Sequence, residues 1–63
     1  MCQTNVYAVN GAALTLLLED VTSVVVEGTE VLISNLFGEQ VRLCARIKEV
    51  NLIDQRVLVE KLT

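Results

Sequence analysis

The sequence lacks histidine, tryptophan and proline, and it contains one phenylalanine, one tyrosine and three glycines. Without histidine, a serine or cysteine nucleophile has no ordinary base partner. The three glycines are dispersed and therefore form no glycine-rich phosphate-binding loop. The sequence also has no Cys-x-x-Cys zinc motif and no EF-hand loop. These absences predict that the protein is not an enzyme.

Long apolar runs and an excess of positive charge are also missing. No apolar segment approaches the ~18 residues of a membrane-spanning helix, and the N-terminus lacks the pattern of a signal peptide. Five Lys and Arg residues against eight Asp and Glu residues give a net charge of −3, which argues against binding to nucleic acid or anionic membranes. Two cysteines without a secretory signal suggest free thiols in a reducing compartment. We therefore expect a cytoplasmic protein.

The sequence is rich in aliphatic residues for its length. Hydrophobic residues make up 52% of its 63 residues, which we interpret as a single domain over residues 1–63. A domain this small cannot hide all of its apolar surface, and self-association is the usual remedy. The absence of proline also leaves edge strands without one common protection against pairing. The composition therefore predicts a homodimer.

Short alternating segments separated by turn signals predict the fold. The turn signals are Asn10-Gly11, residues 27–29, residues 36–39 and residues 51–54, and Asn10-Gly11 is typical of a type I′ hairpin turn. We predict an all-β fold, a small antiparallel barrel or rolled sheet of about six short strands with the size of an SH3 or Sm domain. The clearest alternation is in residues 41–48, where one predicted strand face carries Val41, Leu43, Ala45 and Ile47, and the other Arg42, Cys44, Arg46 and Lys48.

Residues 12–20 are the only segment in which a helix competes with a strand. Their position directly after Asn10-Gly11 favours a hairpin arm, with another strand following it. Glu19 and Asp20 would then lie at the end of that arm, where solvation and turn formation are their expected roles.

Cys2 is the position with the clearest chemical promise. The Met1 amine, the Cys2 amide nitrogen and the Cys2 thiolate could close two fused five-membered chelate rings on one metal ion. Such planar N,N,S donors suit Ni(II) or Cu(II). If Met1 were removed, the amine and thiolate of Cys2 would form one ring, and two subunits could supply a planar N2S2 set. An incidental cysteine after the initiator methionine remains the alternative.

Six blocks of sequence, in order, resemble the CooT-like nickel-binding proteins, which are related to the carbon monoxide dehydrogenase accessory protein. The blocks are Met1-Cys2 with Val6-Tyr7, Leu18-Glu19-Asp20-Val21, Val26-Glu27-Gly28, Leu36-Phe37-Gly38-Glu39, Ile47-Lys48-Glu49-Val50 and Val57-Leu58-Val59-Glu60. The resemblance implies a small β-barrel-like homodimer that binds Ni(II) through Cys2, with Met1 as a further ligand if it is retained. It also implies a role as a nickel metallochaperone, store or sensor, with a nickel-enzyme client such as a carbon monoxide dehydrogenase.

Three residues depart from the pattern of that family. Asn35 and Asn51 stand where acidic residues are usual, and Cys44 is not part of the motif. Cys44 therefore inherits no role from the resemblance.

A second hypothesis is an Sm-like or SH3-like binding module that recognises RNA or a protein segment, with Cys2 incidental. The predicted cationic face of Arg42, Arg46 and Lys48 motivates it. The net negative charge and the scarcity of aromatic residues count against RNA. A purely structural dimer is the third possibility.

Overall fold

Within residues 4–62, which the computed structural model describes, the chain forms five β-strands. Four neighbouring pairs are antiparallel, and β1 and β5 pair in parallel to close a barrel in the order β1-β2-β3-β4-β5. The all-β prediction and the small barrel are confirmed. The strands are β1 (Thr4–Asn10), β2 (Ala13–Glu27), β3 (Glu30–Asn35), β4 (Gln40–Asn51) and β5 (Arg56–Lys61).

The described residues contain five strands, not six, because residues 13–27 form one long strand. β2 pairs with β1 over its first half and with β3 from Val21 onwards. It changes neighbours at Asp20, whose φ of 55° interrupts the extended backbone, and the register shifts around this point in both pairings. The strand prediction for residues 12–20 is thus correct over residues 13–20, but Glu19 and Asp20 lie in the middle of a strand and not at its end.

The predicted turns lie within one residue of the predicted places, although the first has a different type. Asn10 pairs with Ala13, so Gly11 and Ala12 are the central residues of the β1–β2 turn. Gly11 has a φ of 64°, whereas Asp20 and Gln55 are the only non-glycine residues with positive φ in the part of the chain that is described. A positive φ at the first central residue alone is typical of a type II′ turn, so the type I′ prediction is wrong.

The barrel interior is filled by alternate residues of several strands, as the sequence pattern predicts. In β4, every second side chain from Val41 to Ala45 is buried or half-buried, but Ile47 is 38% exposed. Ile47 pairs with the buried Val59 and so keeps the predicted inward face, but it lies beyond Cys44, the last β4 residue paired with β3, where less of the sheet covers it. The buried hydrophobic residues are Val6, Ala8, Val31, Ile33, Ala45, Val57 and Val59.

Asn35, at the end of β3, organises the β3–β4 loop. Its buried side chain accepts hydrogen bonds through Oδ1 from the amides of Phe37 (3.1 Å) and Glu39 (2.8 Å). Its Nδ2 donates to Oε1 of Glu39 at 2.7 Å. One side chain thus satisfies two main-chain donors that would otherwise lack a protein partner, and its amide donor explains why asparagine serves well here.

Replacing Asn35 by alanine should lower the free energy of unfolding by about 2 kcal/mol, because two partly buried hydrogen bonds to loop amides and a buried side chain are lost together. Asn51 is the matched control, since its side chain makes comparable bonds to Asp54 in an exposed turn. Asn51→Ala should cost less than about 1 kcal/mol, because water replaces the lost partner there. Urea denaturation of the two variants measures both values, and equal losses would contradict the assigned role of Asn35.

Candidate metal centre and its surroundings

Met1 and Cys2, the predicted metal ligands, lie outside the described residues. The described chain starts at Thr4, the first residue of β1. Thr4 is paired with Val21 of β2. Asn5 is paired with Arg56 of β5, and its amide donates to the carbonyl oxygen of Gln55 at 3.1 Å. The start of β1, which leads to Cys2, is therefore held on both sides by other strands.

The bend of β2 connects the start of β1 to the β3–β4 loop. The amide of Asp20 donates to Oδ1 of Asn5 at 3.4 Å, and the carbonyl oxygen of Asp20 accepts from the amide of Leu36 at 3.0 Å. The positive φ of Asp20 belongs to this arrangement, since it turns the strand where these two contacts meet. The β3–β4 loop is thereby fixed next to the strand that leads to Cys2.

The β4–β5 loop lies on the other side of the start of β1. It begins after Asn51, whose Oδ1 accepts from the amide of Asp54 at 2.9 Å. It ends at Gln55, whose carbonyl oxygen accepts from Asn5 and whose φ is 54°. Arg56 follows, with its guanidinium 3.9 Å from Oδ2 of Asp54. This loop is therefore also tied to β1 by a main-chain hydrogen bond.

The two loops present large apolar side chains to solvent. Leu36 and Phe37 of the β3–β4 loop are 65% and 71% exposed, and Leu52 and Ile53 of the β4–β5 loop are 82% and 93% exposed. We refer to these four residues as the apolar loop surface. Each loop thus exposes two adjacent large apolar side chains, and exposed apolar patches commonly mark interaction sites. Periodicity could not identify this surface, because its residues lie in turns, where alternation carries no information.

Cys44 is a free, exposed thiol on β4. It is paired across the strands with Glu30, whose carboxylate lies 3.7 Å from the guanidinium of Arg42. No group of three or more His, Cys, Asp and Glu side chains with metal-binding geometry occurs among residues 4–62. Cys44 therefore has no ligand cluster around it in the described part of the protein.

The cationic face of β4 is partly neutralised by ion pairs. The guanidinium of Arg46 donates to Oε1 of Glu60 at 2.7 and 2.9 Å, and Arg42 is next to Glu30. The hydrogen bond and the positive charge of Arg46 lower the pKa of Glu60 below its ordinary value of 4.5. Because these two arginines already have carboxylate partners, the face is less suited to phosphate binding than the sequence pattern suggests.

No helix within residues 4–62 has the length and apolarity to cross a membrane.

Comparison with known proteins agrees with the observed fold. The family model described as "CO dehydrogenase accessory protein CooT" matches residues 1–60. A crystal structure assigned as CooT from Carboxydothermus hydrogenoformans matches with a TM-score of 0.90 and 32% sequence identity, covering 98% of this chain and 100% of that chain. No curated protein is significantly similar to the chain.

These matches confirm the resemblance seen in the sequence blocks. They also agree with the prediction that the chain is not an enzyme, since the family is described as an accessory protein. The chain belongs to the CooT family of CO dehydrogenase accessory proteins.

Proposed function

We propose that the protein binds Ni(II) through the Cys2 thiolate and N-terminal nitrogen donors, as a metallochaperone or as a nickel store or sensor. The observation that carries the proposal is the family match, which covers residues 1–60 and therefore includes Met1 and Cys2. A client enzyme follows from the description of the family as an accessory protein of CO dehydrogenase. We propose that the client of this protein is a nickel enzyme of that kind.

The donor set at the N-terminus supports Ni(II) as the metal. The Met1 amine, the Cys2 amide nitrogen and the Cys2 thiolate are separated by the bonds needed for two fused five-membered rings. Nitrogen and thiolate donors in a plane suit a square-planar Ni(II) ion. If Met1 is removed, the amine of Cys2 takes the place of the Met1 amine, and two subunits together provide two nitrogens and two sulfurs.

The rest of the chain offers few competing ligands. The sequence contains no histidine, and its only other thiol, Cys44, is exposed on β4 without further metal ligands around it among residues 4–62. A thiolate-bound metal ion is therefore best accommodated at Cys2.

The apolar loop surface supports a homodimer with the metal between the subunits. Two peptide units separate Cys2 from Thr4, so the Cα atoms of these residues cannot be more than about 7 Å apart. Thr4 lies at the start of β1, between the bend of β2, which is bonded to the β3–β4 loop, and the start of β5, which follows the β4–β5 loop. A second copy that covers Leu36, Phe37, Leu52 and Ile53 would therefore bring its own N-terminus close to the first.

Replacing Cys2 by serine should abolish nickel binding, because an alcohol does not supply the thiolate donor. Purified, reduced protein titrated with Ni(II) should develop thiolate-to-nickel charge-transfer absorption, and the Cys2→Ser variant should not. Intact-protein mass spectrometry of the nickel-loaded protein measures the stoichiometry and shows whether Met1 is retained.

The matched control for this experiment is Cys44→Ser, which should bind nickel as the parent does. Nickel binding by Cys2→Ser with unchanged affinity would disprove the proposal. A loss of nickel binding in Cys44→Ser, with normal binding in Cys2→Ser, would show that Cys44 and not Cys2 is the ligand.

Replacing Phe37 and Ile53 together by serine should weaken the proposed dimer. Burying a large apolar side chain contributes roughly 1.5–3 kcal/mol, so the dimer dissociation constant should rise at least about tenfold. Sedimentation equilibrium measures this change, and a nickel titration of the same variant should show a lower affinity. Because both side chains are exposed, the free energy of unfolding of the monomer should change little.

Val26→Ser is the control for this double variant, since Val26 is 53% exposed on the distal half of β2. It should leave the dimer unchanged. A dimer that resists the Phe37 and Ile53 substitutions would show that the subunits meet elsewhere.

A further inference from the structure

The first half of β2 has one edge that no strand covers in the described part of the chain. Residues 13–18 pair with β1 on one side. On the other side, β3 joins β2 only from Val21 onwards. The edge of residues 13–19 that faces away from β1 therefore offers main-chain donors and acceptors to a further strand.

The residues along this edge provide none of the usual protection against strand pairing. Residues 13–18 contain neither a charged residue nor proline, and Leu14 and Leu16 are 47% and 45% exposed. The second half of β4 also has an edge that lacks a neighbour, because β3 pairs only as far as Cys44. That edge, however, carries Arg46, Lys48 and Glu49. Charged side chains of this kind discourage the addition of a strand, so this edge of β4 differs from the edge of residues 13–19 in a way that matters for binding. Residues 22–26 are also uncharged and, within residues 4–62, uncovered, but on the opposite edge of β2, where the pairing with β1 ends at Val21.

Two carboxylates lie at the end of the uncovered edge. Glu19 and Asp20 take part in none of the ion pairs found among residues 4–62. The chain itself supplies no cation near them in sequence, since residues 1–41 contain no Lys or Arg. A second copy that paired through the same segment would therefore bring no positive charge to these carboxylates.

We infer that the free edge of β2, residues 13–19, binds an extended segment of another protein that is apolar at alternate positions and carries Lys or Arg at the end that reaches Glu19 and Asp20. Main-chain hydrogen bonds would supply affinity, and contacts with Leu14 and Leu16 would select apolar side chains. The two carboxylates would set the position and direction of the segment through charge. This inference is independent of nickel binding.

The test uses two acetylated peptides of alternating valine and threonine, one ending in two lysines and the other in two glutamates. Titration of the isotope-labelled full chain with the lysine peptide should shift the backbone amide resonances of residues 14–18 in a saturable manner. The glutamate peptide should bind at least about tenfold more weakly, and so should the lysine peptide to the Leu16→Lys variant. Leu14→Lys provides a second variant at an exposed position in case Leu16→Lys impairs folding.

Val26→Lys is the matched control, because it places the same charge on an exposed position beyond the bend of β2. It should bind the lysine peptide as the parent does. Nickel titration of Leu16→Lys should match the parent, so a failure of this inference is distinguishable from a failure of the proposed nickel site.

Three results would overturn the inference. The first is an absence of saturable shifts, or shifts confined to residues other than 14–18. The second is equal binding of the two peptides. The third is protection of amides 14–18 from hydrogen exchange that rises with protein concentration without peptide, because the edge would then be occupied by a second copy.

Discussion

The parallel pairing of β1 with β5 is the contact on which the rest of the structure depends. It joins the first strand to the last over Asn5–Val9 and Arg56–Glu60, and it closes the sheet into a barrel. Without it, Val6, Ala8, Val57 and Val59 would line an open sheet, and a chain of 63 residues has no helix within its described part to cover them. Closure replaces that missing layer, because the sheet then covers its own apolar face.

Closure also determines what surrounds the candidate metal centre. Since β1 lies between β2 and β5, its first residues contact the bend of β2 on one side and the end of the β4–β5 loop on the other. The bend of β2 in turn holds Leu36 of the β3–β4 loop. The two loops, which join opposite ends of β4, are thereby each linked to the first residues of β1 or to the strand beside them. The exposed apolar side chains of these loops are suited to contact with another protein surface.

The same architecture explains why part of the sheet remains uncovered. A small barrel needs strands long enough to change neighbours, and β2 and β4 each pair with a different strand in their two halves. Each half-strand then has an edge on which the next strand is absent. β4 carries charged residues along its second half, whereas the first half of β2 is apolar until Glu19. The second half of β4 is therefore protected against pairing by charge, and the first half of β2 is not.

The sequence by itself determined the strand type, the turn positions and most of the inward face, since alternation and turn residues act over short distances. It was enough to predict the inward face of Val41, Leu43 and Ala45, and the Met1-Cys2 start identified the ligand candidates. The strand number, the partial exposure of Ile47 and the type II′ turn at Gly11 were decided by the tertiary structure. Bulges and bends in β2 and β4 arise from barrel closure, which no local pattern encodes. The links from the start of β1 to the bend of β2 and to the end of the β4–β5 loop likewise depend on which strands become neighbours, so only the folded chain shows them.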